Sequence, residues 1–295
     1  MRLPVTRPVT DEGPPSLEQI VAKTGDLPPI PATALRALEM TNDPQVSVRE
    51  LQTVLAQDQA LTARILRIAN SSMYGLRREI GTVSHAVAIL GLDTTRSILA
   101  AACVQQVFQT GMVKARDLGT KLLSDHSWGA GLCSRVIAKY VRYAPQEEAF
   151  LSGLMHDIGK PVLLKNLPDR YMPIINDVYR GEATFYDAEQ VVLGFSHAQV
   201  GSILAEKWNF PPQLSEAIGY HHDPMAAPRH SQLACITSLA NKIMVYLGIG
   251  FERNAELILH EQPAAAALRL DASALQNIVT ETNGMLSQMP ETLRF

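Results

Sequence analysis

The chain has 295 residues, of which 46% are hydrophobic and 19% are charged, and its formal net charge is −3. These values are typical of a globular protein long enough to bury a large core, and they exclude wholesale disorder and a fibrous protein. The first 145 residues carry 16 Lys and Arg against 12 Asp and Glu, an excess too small for the dense cationic surface of sequence-independent DNA binding.

Neither a membrane span nor a disulfide framework is predicted. No apolar run approaches about 18 residues, and residues 1–8 lack the apolar core of a signal peptide, so we expect a cytoplasmic protein without a membrane partner. The cysteines Cys103, Cys133 and Cys235 are widely separated and form no C-x-x-C pair. They are predicted to be small buried residues rather than thiolate ligands.

The beginning of the chain is predicted to be helical after a flexible, proline-containing segment over residues 1–15. Residues 28–31, with three prolines, predict an extended turn. Ser47 and Glu50 form a capping box that opens a helix. Apolar residues at helical spacing predict helices near 17–21, 34–40, 51–55 and 61–69.

Two further helices are predicted before the middle of the chain. Ser84 or Thr82 caps the first, which ends at Gly91. Asp93 caps the second, a long helix that runs to Phe108.

The predicted fold class is all-α, with about a dozen helices joined by short connections. No stretch alternates with period two for long enough to predict a sheet. Residues 111–116 are a candidate border between two lobes. Residues 231–295 are expected to form two or three further helices, one of them capped by Asp271 or Ser273.

An adjacent histidine and aspartate, His156 and Asp157, lie on an apolar segment that Gly159 and Pro161 interrupt. An imidazole and a carboxylate in this setting are candidate metal ligands. A chain of this length contains such a pair by chance about one time in three, so companions are needed.

Other histidines supply these companions. His126 shares a predicted helix face with apolar and small residues, and Ser196 is a predicted N-cap for a helix that begins at His197. His221 and His222 follow the apolar positions of another helix. Four helices are thus predicted to direct these side chains inward.

Metal chemistry explains why such residues would gather. Neutral imidazole binds divalent iron, manganese, nickel and zinc, and a carboxylate can bridge two ions about 3.5–4 Å apart. Asp157 is the obvious bridge. The alternative is that each histidine is an ordinary core or surface residue, which is the more frequent situation for any one of them alone.

Seven motifs follow one another along the chain: LPPIP (27–31), DQALTARILRIANS (58–71), SHAVAILGL (84–92), FLSGLMHDIGK (150–160), GFSHAQVG (194–201), WNFP (208–211) and HHDP (221–224). In this order they resemble the HDOD module, the HD-related output domain of bacterial signalling proteins. The resemblance covers about residues 16–225 and implies an all-α fold related to the HD and HD-GYP phosphohydrolases. It implies a helical lobe over 16–112 packed on an HD-like lobe over 113–225, with helices of 226–295 completing or extending the second lobe.

The resemblance also implies a ligand set. HD-type hydrolases hold one metal with a histidine, the His-Asp pair and a later aspartate, and HD-GYP enzymes add histidines for a second ion. The matching residues here are, for the first ion, His126, His156 and Asp157, and for the second, His197, His221 and His222. Where the later aspartate is expected, this chain has Asn241, whose amide oxygen can ligate but has no charge.

Two further positions bear on catalysis. The Gly-Tyr-Pro loop of cyclic-dinucleotide phosphodiesterases is absent, and residues 223–225 are Asp-Pro-Met instead. Lys160 resembles a lysine that contacts phosphate in such enzymes; the alternative is a solvated charge at a helix end.

Three functions remain open. The first is a regulatory module that binds a signalling partner protein or a small ligand, favoured by Asn241 and the missing loop. The second is a metal-dependent phosphohydrolase acting on a nucleotide or cyclic dinucleotide, with Asp157 and Lys160 as catalytic residues, favoured by the retained histidines. The weakest is a nucleic-acid surface beside Tyr74, for which an ordinary solvated face is the more frequent explanation. Its candidate residues are Arg64, Arg67, Arg77 and Arg78.

Overall fold

The computed structural model describes residues 16–23, 32–41, 43, 45–71, 74–76, 78–111 and 118–288. Within them the chain forms helices and no strand, so the predicted all-α class is confirmed. The α-helices are α1 (Leu17–Lys23), α2 (Ala32–Met40), α3 (Val48–Leu55), α4 (Gln59–Ala69), α5 (Val83–Leu90), α6 (Leu92–Gly111), α7 (Leu118–Tyr140), α8 (Gln146–Met155), α9 (Gly159–Asn166), α10 (Pro168–Tyr179), α11 (Phe185–Val192), α12 (His197–Lys207), α13 (Pro212–Gly219), α14 (Ser231–Leu247), α15 (Pro263–Ala267) and α16 (Ala272–Ser287). The described residues hold more helices than the dozen expected, because several are only two or three turns long.

Side-chain caps begin several of these helices, as predicted. The hydroxyl of Ser47 accepts from the third backbone N–H of α3, and Ser196 opens α12 with a full capping box. Two caps were predicted as alternatives. Thr82 rather than Ser84 caps α5, and Asp271 rather than Ser273 caps α16. The segment over 1–15 and the turn over 28–31 lie outside the described residues, as does most of the border at 111–116.

The predicted cap at Asp93 is wrong. Helix α6 begins at Leu92, two residues before the start that a cap at Asp93 implies, because the carbonyl of Gly91 accepts the N–H of Thr95 at 3.2 Å. Gly91 has a left-handed φ of 84°, which lets one residue end α5 and start α6. The helix also extends to Gly111, beyond its predicted end.

The first half of the fold is arranged around α6. Helices α2, α4 and α5 contact α6, while α3 contacts α2 and α5, and α6 also contacts α8 and α9 of the second half. The apolar faces of these helices are buried, including Leu51, Leu55, Ile65, Ile68 and Ile98.

The second half is built on the pair α7 and α8, with α14 and α16 packed on α7. The two helices approach closely: a Cβ on Gly153 of α8 would lie 2.4 Å from the carbonyl oxygen of Ala130 on α7. Helix α14 also contacts α8 and α13 and buries Leu233, Ile236 and Leu239. Residues after 225 therefore contribute to the packing around the candidate site.

The cysteines behave as predicted. All three are buried without a disulfide, and burial raises the pKa of the Cys103 and Cys133 thiols to about 12. Among the described helices, none combines the length and the apolarity needed to cross a membrane.

Candidate metal centre

The predicted ligands gather in two adjoining groups. His126 of α7 lies with His156 and Asp157, and the candidate ligand atoms of these three residues are all within 4.8 Å of one another. The second group meets the same criterion and consists of His197, His221 and His222.

The inward placement predicted for these residues is confirmed, but the prediction of four helices is wrong in detail. His156 and Asp157 lie in a turn between α8 and α9, because α8 closes when the N–H of Ile158 bonds to the carbonyl of Met155 at 2.9 Å. His221 and His222 likewise lie in the turn after α13. Of the six residues in the two groups, only His126 and His197 are part of helices.

The carboxylate of Asp157 lies between the two groups. Its Oδ2 is 3.4 Å from Nε2 of His156 and 3.6 Å from Nε2 of His126. Its Oδ1 is 3.2 Å from Nε2 of His197. Asp157 is fully buried, and the ring of His197 is the hydrogen-bonding partner of its Oδ1. A buried carboxylate is costly unless donors or a cation compensate its charge.

Backbone carbonyls and one carboxylate orient four of the imidazoles. Each of these oxygens accepts a hydrogen bond from a ring Nδ1–H, so that Nε2 is directed at the centre. The Nδ1 partners are Ile249 O for His126 at 2.8 Å, Gly153 O for His156 at 2.6 Å, Glu189 Oε2 for His197 at 2.6 Å and Ile218 O for His221 at 2.7 Å.

The spacing of the inner nitrogens suits a metal. Nε2 of His126 is 3.3 Å from that of His156, and Nε2 of His197 is 3.4 Å from that of His221 and 3.1 Å from that of His222. Ligands about 2.0–2.1 Å from a tetrahedral ion lie about 3.3 Å apart. The residues present therefore fit a divalent ion in each group.

Burial keeps His156 and His221 in the neutral form that can bind a metal ion. It lowers the pKa of His156 to about 3 and that of His221 well below its usual range, so both are neutral at pH 7. Burial opposes ionisation of Asp157 too, but the ammonium of Lys160 beside it holds the pKa of its carboxyl well below the ordinary value. His197 differs: burial lowers its pKa, but the charge of Glu189 and the hydrogen bonds of the ring to Asp157 and Glu189 together more than offset this, so its pKa is raised.

Comparison with known proteins places this arrangement in a family. The HDOD domain matches residues 27–224. The chain belongs to the HDOD family. The crystal structure of an HDOD domain protein from Geobacter sulfurreducens has a TM-score of 0.76 and 26% sequence identity, over 94% of this chain and 96% of that one.

Two further similarities extend the comparison. A solved structure from Shewanella amazonensis SB2B, named "Putative phosphohydrolase", is 26% identical with a TM-score of 0.73 over 91% of this HDOD chain and 94% of that chain. An uncharacterized protein of Treponema pallidum (strain Nichols) is 23% identical over 230 residues, which are 77% of this chain and 44% of that protein. The chain therefore spans less than half the length of this curated relative.

Lys160 of the HDOD motif is not a solvated helix-end charge. Its side chain is 7% exposed, its Nζ is 2.7 Å from Oδ2 of Asp157, and the same ammonium lies 4.2 Å from the centre of the Phe185 ring. A buried ammonium against the Asp157 carboxylate neutralises the charge that would otherwise attract a cation to the first group.

Asn241 lies beside the first group although it follows the HDOD match. Its Oδ1 is 3.1 Å from Nε2 of His126, and the residue is 8% exposed. An amide oxygen is thus placed where the resemblance predicts a carboxylate.

Sequence reasoning missed Glu189, which supports the second group. Glu189 is fully buried on α11, and its Oε2 accepts from the backbone N–H of His197 at 2.7 Å as well as from the ring. Its Oε1 accepts from the hydroxyl of Tyr171 at 2.6 Å. Its spacing in the sequence could have indicated burial, because Glu189 shares a helix face with the apolar Phe185 and Val192.

The candidate nucleic-acid surface includes Arg64 and Tyr74, whose recorded partners lie within the protein. The guanidinium of Arg64 donates to the carbonyl of Ala102 at 3.1 Å, and burial lowers its pKa. The ring of Tyr74 lies 5.7 Å from the guanidinium of Arg135. Both side chains therefore make contacts within the protein, while Arg77 lies outside the described residues.

Proposed function

We propose that this chain is a signalling output module that binds a partner protein or a small ligand and holds two divalent cations in its buried His/Asp cluster. The observation that carries the proposal is the position of Asp157, whose two carboxylate oxygens face different histidine groups. Iron, manganese, nickel and zinc all suit imidazole and carboxylate ligands. Residues 226–288 belong, in this proposal, to the same lobe as the cluster.

Three features favour a regulatory role for the cations over catalysis. Lys160 already pairs with the bridging carboxylate, and Asn241 brings no charge to the first group. His156, Asp157 and His197 are fully buried, which leaves these inner ligands little access to a substrate. Bound cations would then act mainly as cross-links between helices.

Metal analysis of protein purified without chelator tests the proposal. We expect about two divalent ions per chain, and loss of both from Asp157→Ala, because each group contacts one oxygen of this carboxylate. His260→Ala is the matched control, since His260 is exposed and outside both groups. Protein that contains no metal and takes up none on addition of manganese, iron or zinc would refute metal binding.

Binding of a partner protein or a small ligand is tested by a separate measurement. We expect a bacterial signalling protein to co-purify with the tagged chain, or a nucleotide or cyclic dinucleotide to raise its melting temperature. Absence of both a specific partner and any ligand-induced shift would refute the regulatory module, whatever the metal content.

A phosphohydrolase is the second candidate, favoured by the two-group geometry and by the name of the Shewanella relative. Divalent ions bound here would supply Lewis-acid activation of water and phosphate. In that case Asn241→Asp, which adds a charged oxygen beside His126, should raise turnover of a phosphodiester or cyclic dinucleotide at least tenfold, and Asp157→Ala should abolish it. Equal, background-level rates in the wild type and in both variants would exclude this candidate.

A further inference from the structure

The loop that follows α14 crosses the candidate metal centre. We call residues 248–252 the strap. It begins at Gly248, which ends α14 with a left-handed φ of 70°, and it contains Gly250 at a φ of 109°. The N–H of Asn254 returns to the carbonyl of Val245 at 3.0 Å, so the strap is closed onto the end of α14.

One side of the strap fixes the first histidine group. The carbonyl oxygen of Ile249 accepts a hydrogen bond from Nδ1–H of His126, with an N···O distance of 2.8 Å. A Cβ on Gly250 would lie 2.8 Å from Nδ1 of His126 and 3.1 Å from its Cβ. Only glycine allows the backbone this close to the imidazole, and it also tolerates the positive φ.

The other side of the strap reaches the second group through α11. The ring of Phe251 meets that of Phe185 edge-on, with centroids 5.8 Å apart. Oε1 of Glu252 accepts the backbone N–H of Phe185 at 3.0 Å. Phe185 is the first residue of α11, the helix that carries Glu189 to the ring of His197.

We propose that the strap is a positioning element that sets His126 directly and His197 through α11, with Gly250 and Glu252 as its positioning residues. The strap lies outside the HDOD match at 27–224, so it is a feature of this chain's C-terminal segment. The inference rests on the proposed metal function. It gives the end of α14 a defined role, because the strap that follows α14 contacts both His126 and the start of α11.

Gly250→Ala is the direct test, read by cobalt(II) titration. The added methyl group displaces His126, so affinity at the first group should fall tenfold to hundredfold, the cost of losing support behind a ligand. The visible spectrum should lose the component of the first group, and the second group should still bind. Gly181→Ala is the control, because Gly181 also has a positive φ, of 74°, but no atom within 4 Å of the added Cβ.

A second variant guards against a folding failure of the first. Glu252→Ala introduces no clash and releases the start of α11, so it should weaken the second group several-fold and leave the first unchanged. Circular dichroism identifies any variant that has not folded. Titrations of Gly250→Ala and Glu252→Ala that match wild type would overturn the proposal.

The strap can also be tested without metal. In metal-free protein with ¹⁵N-labelled histidine, the shifts of His126 should report a proton held on Nδ1 in the wild type and in Gly181→Ala, and a mixture of tautomers in Gly250→Ala. If wild type binds no cobalt, the proposed metal function fails while this measurement still decides the positioning role. Unchanged His126 shifts in folded Gly250→Ala would overturn it.

Discussion

At the scale of single residues, the imidazoles differ in what holds them. His126, His156 and His221 donate to backbone carbonyls, whereas His197 alone donates to a carboxylate. A carboxylate behind a ligand raises the basicity of the imidazole as well as fixing its ring. Of these four candidate ligands, His197 is therefore the one whose basicity depends on another side chain.

This difference predicts the effect of Glu189→Gln. The amide has no charge and only one acceptor oxygen, whereas Glu189 uses both oxygens, one of them for two bonds from His197. Isothermal titration with zinc should show affinity at the second group reduced tenfold to hundredfold. Tyr171→Phe is the control, because it removes one bond to Glu189 and leaves those to His197; it should change affinity only a few-fold. Equal effects of the two variants would contradict this assignment.

Buried neutral histidines also predict how the metal-free protein responds to acid. Burial lowers the pKa of His156 to about 3, and those of His221 and His222 well below their usual values. Below about pH 6.5 the unfolded chain binds protons at these rings and the folded chain does not, so the free energy of unfolding falls between about pH 6.5 and pH 3. His197, whose pKa is raised, opposes this trend, because its contribution is lost as pH rises.

Urea denaturation in the presence of chelator measures this effect. For each proton that the unfolded chain binds in excess, the free energy of unfolding falls by about 1.4 kcal/mol per pH unit. His221→Gln should flatten the profile by roughly one proton. A stability that is constant from pH 7 to pH 4.5 would contradict neutral burial of these rings.

The residue types in the sequence predicted the His/Asp cluster, but they did not predict the strap that positions His126. His126, His197 and the two pairs could be recognised because imidazole and carboxylate are unusual on apolar faces. The strap could not be predicted, since Ile249 contributes only a backbone carbonyl, which every residue has. Its contact with His126 spans 123 positions and depends on how α14 packs on α7.

At the scale of elements, glycine decides how closely the helices of the cluster approach. A Cβ on Gly159, the first residue of α9, would lie 2.0 Å from the carbonyl oxygen of His197, the first residue of α12. This contact joins the starts of the two helices and brings His197 to Asp157. Helix α9 was not predicted from the sequence, because Gly159 and Pro161 resemble helix breakers until the contact with His197 is known.

Gly159→Ala should therefore destabilise the protein by about 1–3 kcal/mol, the usual cost of overpacking, in spite of the better helix propensity of alanine. It should also weaken metal binding at both groups, because Asp157 moves relative to His197. Gly284→Ala in α16 is the control: no atom lies within 4 Å of its added Cβ, so it should be neutral or stabilising. Denaturant unfolding and metal titration check both variants, and a folded Gly159→Ala as stable as Gly284→Ala would contradict the close approach.

The starts of the helices show where the local sequence pattern is enough to predict the structure. Ser196 and Asp271 were predictable because each is a good cap directly before an apolar helix. The start of α6 was not, because Gly91 ends one helix and begins the next, and the sequence offered Asp93 as the more usual cap.

At the scale of the whole molecule, the cluster ties together elements that are distant in sequence. It contains residues from α7, the turn between α8 and α9, α12, the turn after α13, and α14. The helices α3, α4 and α5 of the first half contribute none of these ligands. Cation binding should consequently stabilise one part of the molecule selectively.

Hydrogen exchange with and without chelator tests this selectivity. At a free metal concentration about 1,000 times Kd, each ion stabilises the folded state by about 4 kcal/mol, and the opening reactions that break its ligand set slow accordingly. Chelation should therefore speed exchange together in residues 123–133, 153–160, 197–204, 218–222 and 238–250, and leave α3 to α5 unchanged. In Asp157→Ala chelator should have no effect in any region. Acceleration that is equal in α3 to α5 would mean that the ions stabilise the fold globally, and acceleration confined to one histidine group would mean that Asp157 does not join the two.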